Sequence, residues 1–224
     1  TWTFHLRPDL KWSDGTELTA EDFVYSWKRL ADPATAAPYG YDLLNQIEGY
    51  DKAAKGDLDA LKVEAAAKDS FVVHLSSPCS YFDKIAAFTS MVPVQKAAIE
   101  ANGDSWSTKP ESYVSNGPYK MTEFTDGDRI VFEKNENYWD KDHITFDKIV
   151  WHLIEDGNSA YTAYKEGTLD MMKSVPSEEI PSLKGQEDFH LDPIMGTYYV
   201  SFNLKKAPFD NEKVREALSL AIDR

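Results

Sequence analysis

The residues of this 224-residue chain that could perform acid–base, nucleophilic or metal chemistry are five histidines, one cysteine and 38 carboxylates. A zinc site would need ligands paired at short spacing, such as two histidines one helical turn apart. His5, His74, His143, His152 and His190 are scattered, with no HExxH among them, and each reads as a surface or core histidine. Cys79 stands alone between Pro78 and Ser80, which excludes an internal disulfide and a thiolate-rich metal site, and it has no obvious histidine partner to activate it. Glu21-Asp22 and Asp140 with Asp142 are carboxylate pairs of the kind a hydrolase uses as acid and base, but they sit beside charged neighbours and read as solvated faces. Asp126-Gly127-Asp128 lacks the remaining ligands of a calcium loop and reads as a turn. GxSxG, GxxxxGK[ST] and GxGxxG after a strand are all missing, and with them the local signs of an α/β-hydrolase, a nucleotidase and a dinucleotide-binding enzyme.

Aromatic residues are plentiful instead, with 6 Trp, 12 Tyr and 11 Phe. Amphipathic spacing assigns most of them to the core, while binding clefts for varied ligands also use Tyr and Trp as broad contact surfaces. The formal charge of −14 repels nucleic-acid phosphates and anionic lipid headgroups, so neither is an expected partner. No stretch approaches the roughly 20 apolar residues that would cross a bilayer, and the first residues do not read as a signal peptide. The chain opens inside a strand pattern and closes at the end of a helix pattern. We therefore expect a piece of a longer protein, with any export signal or lipid-anchoring cysteine upstream.

Trp2, Phe4 and Leu6 alternate with Thr3, His5 and Arg7 as in a half-buried strand. Thr19 caps a helix in which Phe23, Trp27 and Leu30 share a face and which ends before Pro33. Asp57 to Ala67 reads as a short helix running into a strand, Phe71 to Leu75 as a strand, and Tyr81 to Phe88 as a helix. Apolar alternation on both sides of Asp126-Gly127-Asp128 predicts a hairpin. A strand at 149–154, a helix from Ser159 to Lys165 and a strand from Leu169 to Met172 suggest a parallel βαβ unit. A short helix near Ser177 to Leu183, a long extended stretch from His190 to Asn203, and an amphipathic helix capped by Asp210 or Asn211 complete the chain.

Several of these segments carry a family likeness. The run from Trp12-Ser13-Asp14-Gly15-Thr16 through Trp27 resembles the signature of the oligopeptide- and dipeptide-binding proteins of ABC importers, with Glu17 where proline is usual. Asn116-Gly117-Pro118-Tyr119, Asn135-Glu136-Asn137-Tyr138-Trp139, Tyr164-Lys165-Glu166-Gly167-Thr168-Leu169-Asp170 and the run from Ala207-Pro208-Phe209-Asp210 to Leu218 follow in the family's order.

The resemblance implies an α/β, periplasmic-binding-protein type II-like (cluster C) fold, present in part as an inserted extra domain plus part of the first lobe. Residues 1–95 would be most of the extra domain, 96–195 the central part of the first lobe, and 196–224 the hinge crossing and start of the second. It also implies an extracytoplasmic binding subunit, monomeric and without cofactor or metal, lipid-anchored if a lipobox precedes these residues. Such a subunit captures an oligopeptide by closure of two lobes and presents it to an ABC permease. Family members also carry oligosaccharides, nickel chelates, haem and signalling peptides; a carboxylate-based hydrolase and an adhesive surface module are the rival readings. Carried over by position, Tyr39, Gly196, Thr197 and Tyr199 are the candidate ligand-binding residues, Tyr39 after Pro38 lining the pocket on the extra-domain side and Tyr199 lying near the hinge, with core tyrosine as the alternative for both tyrosines. Trp12, Asp14, Gly15, Asp22, Trp27, Asn116, Gly117 and Tyr119 are expected to be structural.

Overall fold

The computed structural model describes residues 1–223; Arg224, at the end of the expected third segment, lies outside the described residues. Two antiparallel three-stranded sheets organise the chain. In the first, β1 (Trp2–His5) and β2 (Val63–Ala67) flank β3 (Ser70–Val73). Helix α1 (Ala20–Ala31) packs across β2 and β3, with α2 (Gly40–Leu44), α3 (Tyr50–Ala53) and α4 (Phe82–Ala86) around it. The helical spacing of Trp27 and the strand alternation of Phe71 and Val73 bring these side chains into one core with Leu44, Ile47, Leu61, Phe82 and Met91. Each such buried side chain contributes about 1.5–3 kcal/mol by leaving water. The Trp27 ring meets Phe71 edge-on at 4.8 Å, and its indole N–H, which burial would otherwise leave unpaired, donates to the Met91 carbonyl at 2.9 Å.

Thr19 caps α1 as its sequence suggests. The Asp22 carboxylate, at the third helical position, accepts from the Thr19 backbone N–H at 2.7 Å. Burial raises the Asp22 carboxyl above its ordinary value in spite of the hydrogen bonds it accepts from Thr19 and Trp12.

After α5 (Lys96–Asn102), the second sheet orders β4 (Tyr119–Thr125), β5 (Arg129–Lys134) and β6 (Lys148–His152). The expected hairpin is the β4–β5 connection, with Gly127 at φ 69 supplying the left-handed turn residue. Register aligns Met121 with Phe132 and Ile149, and Phe124 with Ile130 and Trp151, so one face of this sheet carries an apolar cluster. Strand β6 pairs on one side only, and Trp151 is 64% exposed.

Helices α6 (Gly157–Lys165), α7 (Ile180–Leu183) and α8 (Glu212–Leu220) follow. The parallel βαβ unit is not formed: Leu169–Met172 is irregular and pairs with no strand among the described residues. Its apolar composition satisfied the local pattern, but a strand exists only where a neighbour completes its ladder. The terminal helix forms with Asn211 as its cap, the Asn211 Oδ1 accepting from the Lys213 N–H at 2.9 Å, yet Leu218 on the expected apolar face and Ile222 just beyond the helix are exposed.

Candidate functional site

Tyr39 sits at the N-terminal cap of α2, in the loop that leaves α1 and its short helical extension Pro33–Thr35. The next residue is glycine for a steric reason: a Cβ on Gly40 would stand 2.9 Å from the Leu30 carbonyl oxygen. This close approach seats the start of α2 against α1 and leaves the preceding tyrosine facing outward, 52% exposed. The Tyr39 ring packs against Phe88 at 5.4 Å with an interplanar angle of 59°, and Phe88 is itself 40% exposed. Tyr81, which opens α4, is also exposed, and the Gln46 side-chain amide donates to its hydroxyl at 3.5 Å. Tyr39 is therefore no core tyrosine. With Phe88, in the turn after α4, it forms a ledge of two outward-facing rings.

Phe88 and Tyr81 were not singled out by sequence. Both fall within one apolar run at helical spacing, and nothing local shows that α4 stops at Ala86 and turns Phe88 outward.

Gly196, Thr197 and Tyr199 lie in a stretch without regular secondary structure, bent at Met195, where the sequence predicts a long extended segment. No residue from 190 to 202 makes a backbone hydrogen bond among the described residues. Residues 191–200 are exposed throughout, Tyr199 at 75%. No hydrogen bond or ring contact among the described residues joins this stretch to Tyr39. Two concavities of about 460 and 490 Å³ lie elsewhere, one between Trp2 and the Leu75–Ser80 loop, the other between Glu48–Lys52 and Asp57–Lys62. Among the described residues, no cluster of three or more His, Cys, Asp or Glu side chains is gathered as for a metal, and no helix is long and apolar enough to cross a membrane.

Residues of three motif runs, Trp12–Thr16, Asn116–Tyr119 and Asn135–Trp139, meet at the seam between the two sheets. The Asn135 side chain, 1% exposed, donates to the Gly117 carbonyl at 2.8 Å and accepts from the Asn137 N–H at 3.0 Å. The Asn137 amide donates to the Ser13 carbonyl at 3.2 Å. Ser13 N–H donates to the Ser115 carbonyl at 2.7 Å, and Ser115 N–H returns to Ser13 Oγ at 3.2 Å. The Asp14 carboxylate accepts from Thr16 and from the Gln95 amide. Burial opposes ionisation of Asp14, but these hydrogen bonds outweigh it and hold the carboxyl below its ordinary value. The Arg7 guanidinium lies 3.8 Å from the centre of the Trp139 ring.

The outward-facing rings of Tyr39 and Phe88 and the exposed stretch 191–200 are separate surfaces open to contact. The class is that of solute-binding proteins. Residues 1–224 match the family described as "Bacterial extracellular solute-binding proteins, family 5 Middle", and the chain belongs to that family. It is 42% identical over 229 residues to the periplasmic oligopeptide-binding protein OppA of Salmonella typhimurium, covering all of this chain and 42% of that protein. Among solved structures, the Escherichia coli murein tripeptide-binding protein MppA matches with a TM-score of 0.92 and 36% identity, over 100% of this chain and 44% of MppA. Haemophilus influenzae OppA in complex with RPPGFSPFR matches with a TM-score of 0.87 and 37% identity, over 99% of this chain and 44% of that protein. The fold is that of part of a periplasmic peptide-binding protein, and the chain spans somewhat under half the length of these relatives.

Proposed function

We propose that this chain forms one wall of an extracytoplasmic substrate-binding protein that captures oligopeptides between two lobes and delivers them to an ABC permease. The observation that carries the reading is the outward-facing ring pair of Tyr39 and Phe88 in a chain of the solute-binding family; residues 190–202, in addition, make no backbone hydrogen bond among the described residues. Main-chain N–H and C=O groups require partners, and a peptide laid alongside offers the same groups in the same repeat, as an added strand would. The exposed rings of Tyr39 and Phe88 offer side-chain contact area without directional demands, which suits a ligand of varied sequence. In this reading Tyr39, Gly196, Thr197 and Tyr199 contact ligand. Residues 1–95 form the extra domain, 96–195 the central first lobe, and the chain from 196 crosses the hinge. Ligand bridging both lobes stabilises the closed form through contacts the open form lacks, so the cycle requires no covalent step.

The test is mass spectrometry of ligand retained by the intact protein, followed by incubation with a peptide pool. The reading expects peptides of mixed sequence, bound and recovered uncut. Saturable cleavage abolished by one carboxylate substitution, or retention of only non-peptide solutes, would replace it.

A further inference from the structure

The hydrogen bonds of the seam join loops of the first sheet's region to loops of the second. No helix or strand around β1–β3 packs extensively against β4, β5 or β6. Their relative orientation must then be set by loops, and the loops concerned carry the Trp12–Thr16, Ser115–Tyr119 and Asn135–Trp139 segments. The hydrogen bonds across it join residues 102 and 124 positions apart, Ser115 with Ser13 and Asn137 with Ser13.

We propose that Asn135 and Asn137 are positioning residues, which clasp the two sheets into one rigid wall and so hold the Tyr39 ledge in fixed orientation to the second sheet. Asn135 is suited to this because both ends of its amide are used. Its donor end is committed to Gly117 and its acceptor end to the Asn137 N–H, so only one orientation of the amide satisfies the site. That bond fixes the Asn137 backbone, which in turn aims the Asn137 amide at the Ser13 carbonyl. Neither an aspartate nor a leucine could replace Asn135, the first lacking the donor and the second both functions. Leaving a buried carbonyl or N–H unpaired costs more than the bond itself contributes, so the network favours one seam geometry over its alternatives. The consequence for ligand capture rests on the peptide-binding reading above; the clasp itself does not.

The experiment uses the intact protein with spin labels at A66C in β2 and K120C in β4, both exposed positions, while Cys79 is buried. Asn135→Ala risks misfolding because it strands two part-buried partners, so the variants are Asn137→Ala and Ser13→Ala, with exposed Asn158→Ala as control. A clasp predicts one narrow inter-sheet distance in the parent and in the control. It predicts a broadened or shifted distribution in both seam variants well below their melting temperatures, and binding of RPPGFSPFR weakened about fivefold, the equivalent of one lost hydrogen bond. Unchanged distributions in both seam variants would overturn the clasp. Broadened distributions with unchanged affinity would overturn its positioning role. If the parent itself binds neither RPPGFSPFR nor a peptide pool, the peptide reading fails while the distance measurement still decides the clasp.

Discussion

Truncating Tyr39 separates a ligand-facing ring from a core ring, because the two roles predict opposite outcomes. A tyrosine side chain offers about 150–250 Å² of surface, and with 52% of the residue exposed about 100 Å² is available to a ligand. At about 25 cal/mol per Å² this area contributes at most about 2.5 kcal/mol, so Tyr39→Ala should weaken peptide binding by up to about 50- to 100-fold. Stability should barely change, within about 0.5 kcal/mol, since the ring's one ring partner is Phe88, itself exposed. Tyr39→Phe keeps the face of the ring and should stay near parent affinity. The assay is calorimetric titration of the intact protein with RPPGFSPFR, alongside thermal melts of each variant. A Kd within twofold of the parent would refute the ledge as a ligand surface. A large fall in melting temperature would show that the ring supports the fold instead.

Gly49→Ala should be among the most damaging small substitutions, because Gly49 has φ 83 and a Cβ there would stand 1.8 Å from the Ala60 carbonyl oxygen. Chemical denaturation should show a loss above about 2 kcal/mol, against about 1 kcal/mol for Gly56→Ala, which has positive φ but open space. Asp14 has a depressed carboxyl pKa, so its contribution to stability is present above the ordinary value of 3.8 and is lost as pH falls through its lower folded-state value. Asp14→Asn should therefore lose less stability than the parent when melts are compared from pH 5 down to pH 2.5. Residues 1–224 alone should bind the same peptide pool far more weakly than the intact protein. Losing half of a micromolar binding free energy of about 8 kcal/mol leaves a Kd near 1 mM, and equal micromolar titrations would place the whole site in these residues.

Local features were legible in the sequence where the physics is local. Thr19 with Asp22, Asp126-Gly127-Asp128 and Asn211 each specify a cap or turn through their own side chains and backbone, and each forms as read. The alternation of Trp2, Phe4 and Leu6 likewise marks β1 because burial of one face needs only a nearby core. Leu169–Met172 failed for the converse reason, since β propensity describes a residue's fitness for a ladder and not the presence of a partner strand. The candidate site divides in the same way. Tyr39 could be placed by its position after Pro38, but its outward direction depends on Gly40 seating against Leu30, and its pairing with Phe88 depends on where α4 ends.

The motif residues show why sequence signature and ligand contact need not coincide. A surface that accepts many peptides is served by backbone and ring faces, which any extended segment and several aromatic residues can supply, so such a site imposes weak demands on residue identity. A seam of buried hydrogen bonds imposes strong ones. Asn135 needs a donor and an acceptor in one short amide, and Ser13 needs a hydroxyl between two chain segments. In this protein the most distinctive runs, Trp12–Thr16 and Asn135–Trp139, accordingly lie at the junction of the sheets, while Tyr39 and the 196–199 stretch sit in unremarkable sequence. On the clasp proposed above, substitutions at the seam would alter the orientation of the Tyr39 ledge without touching it.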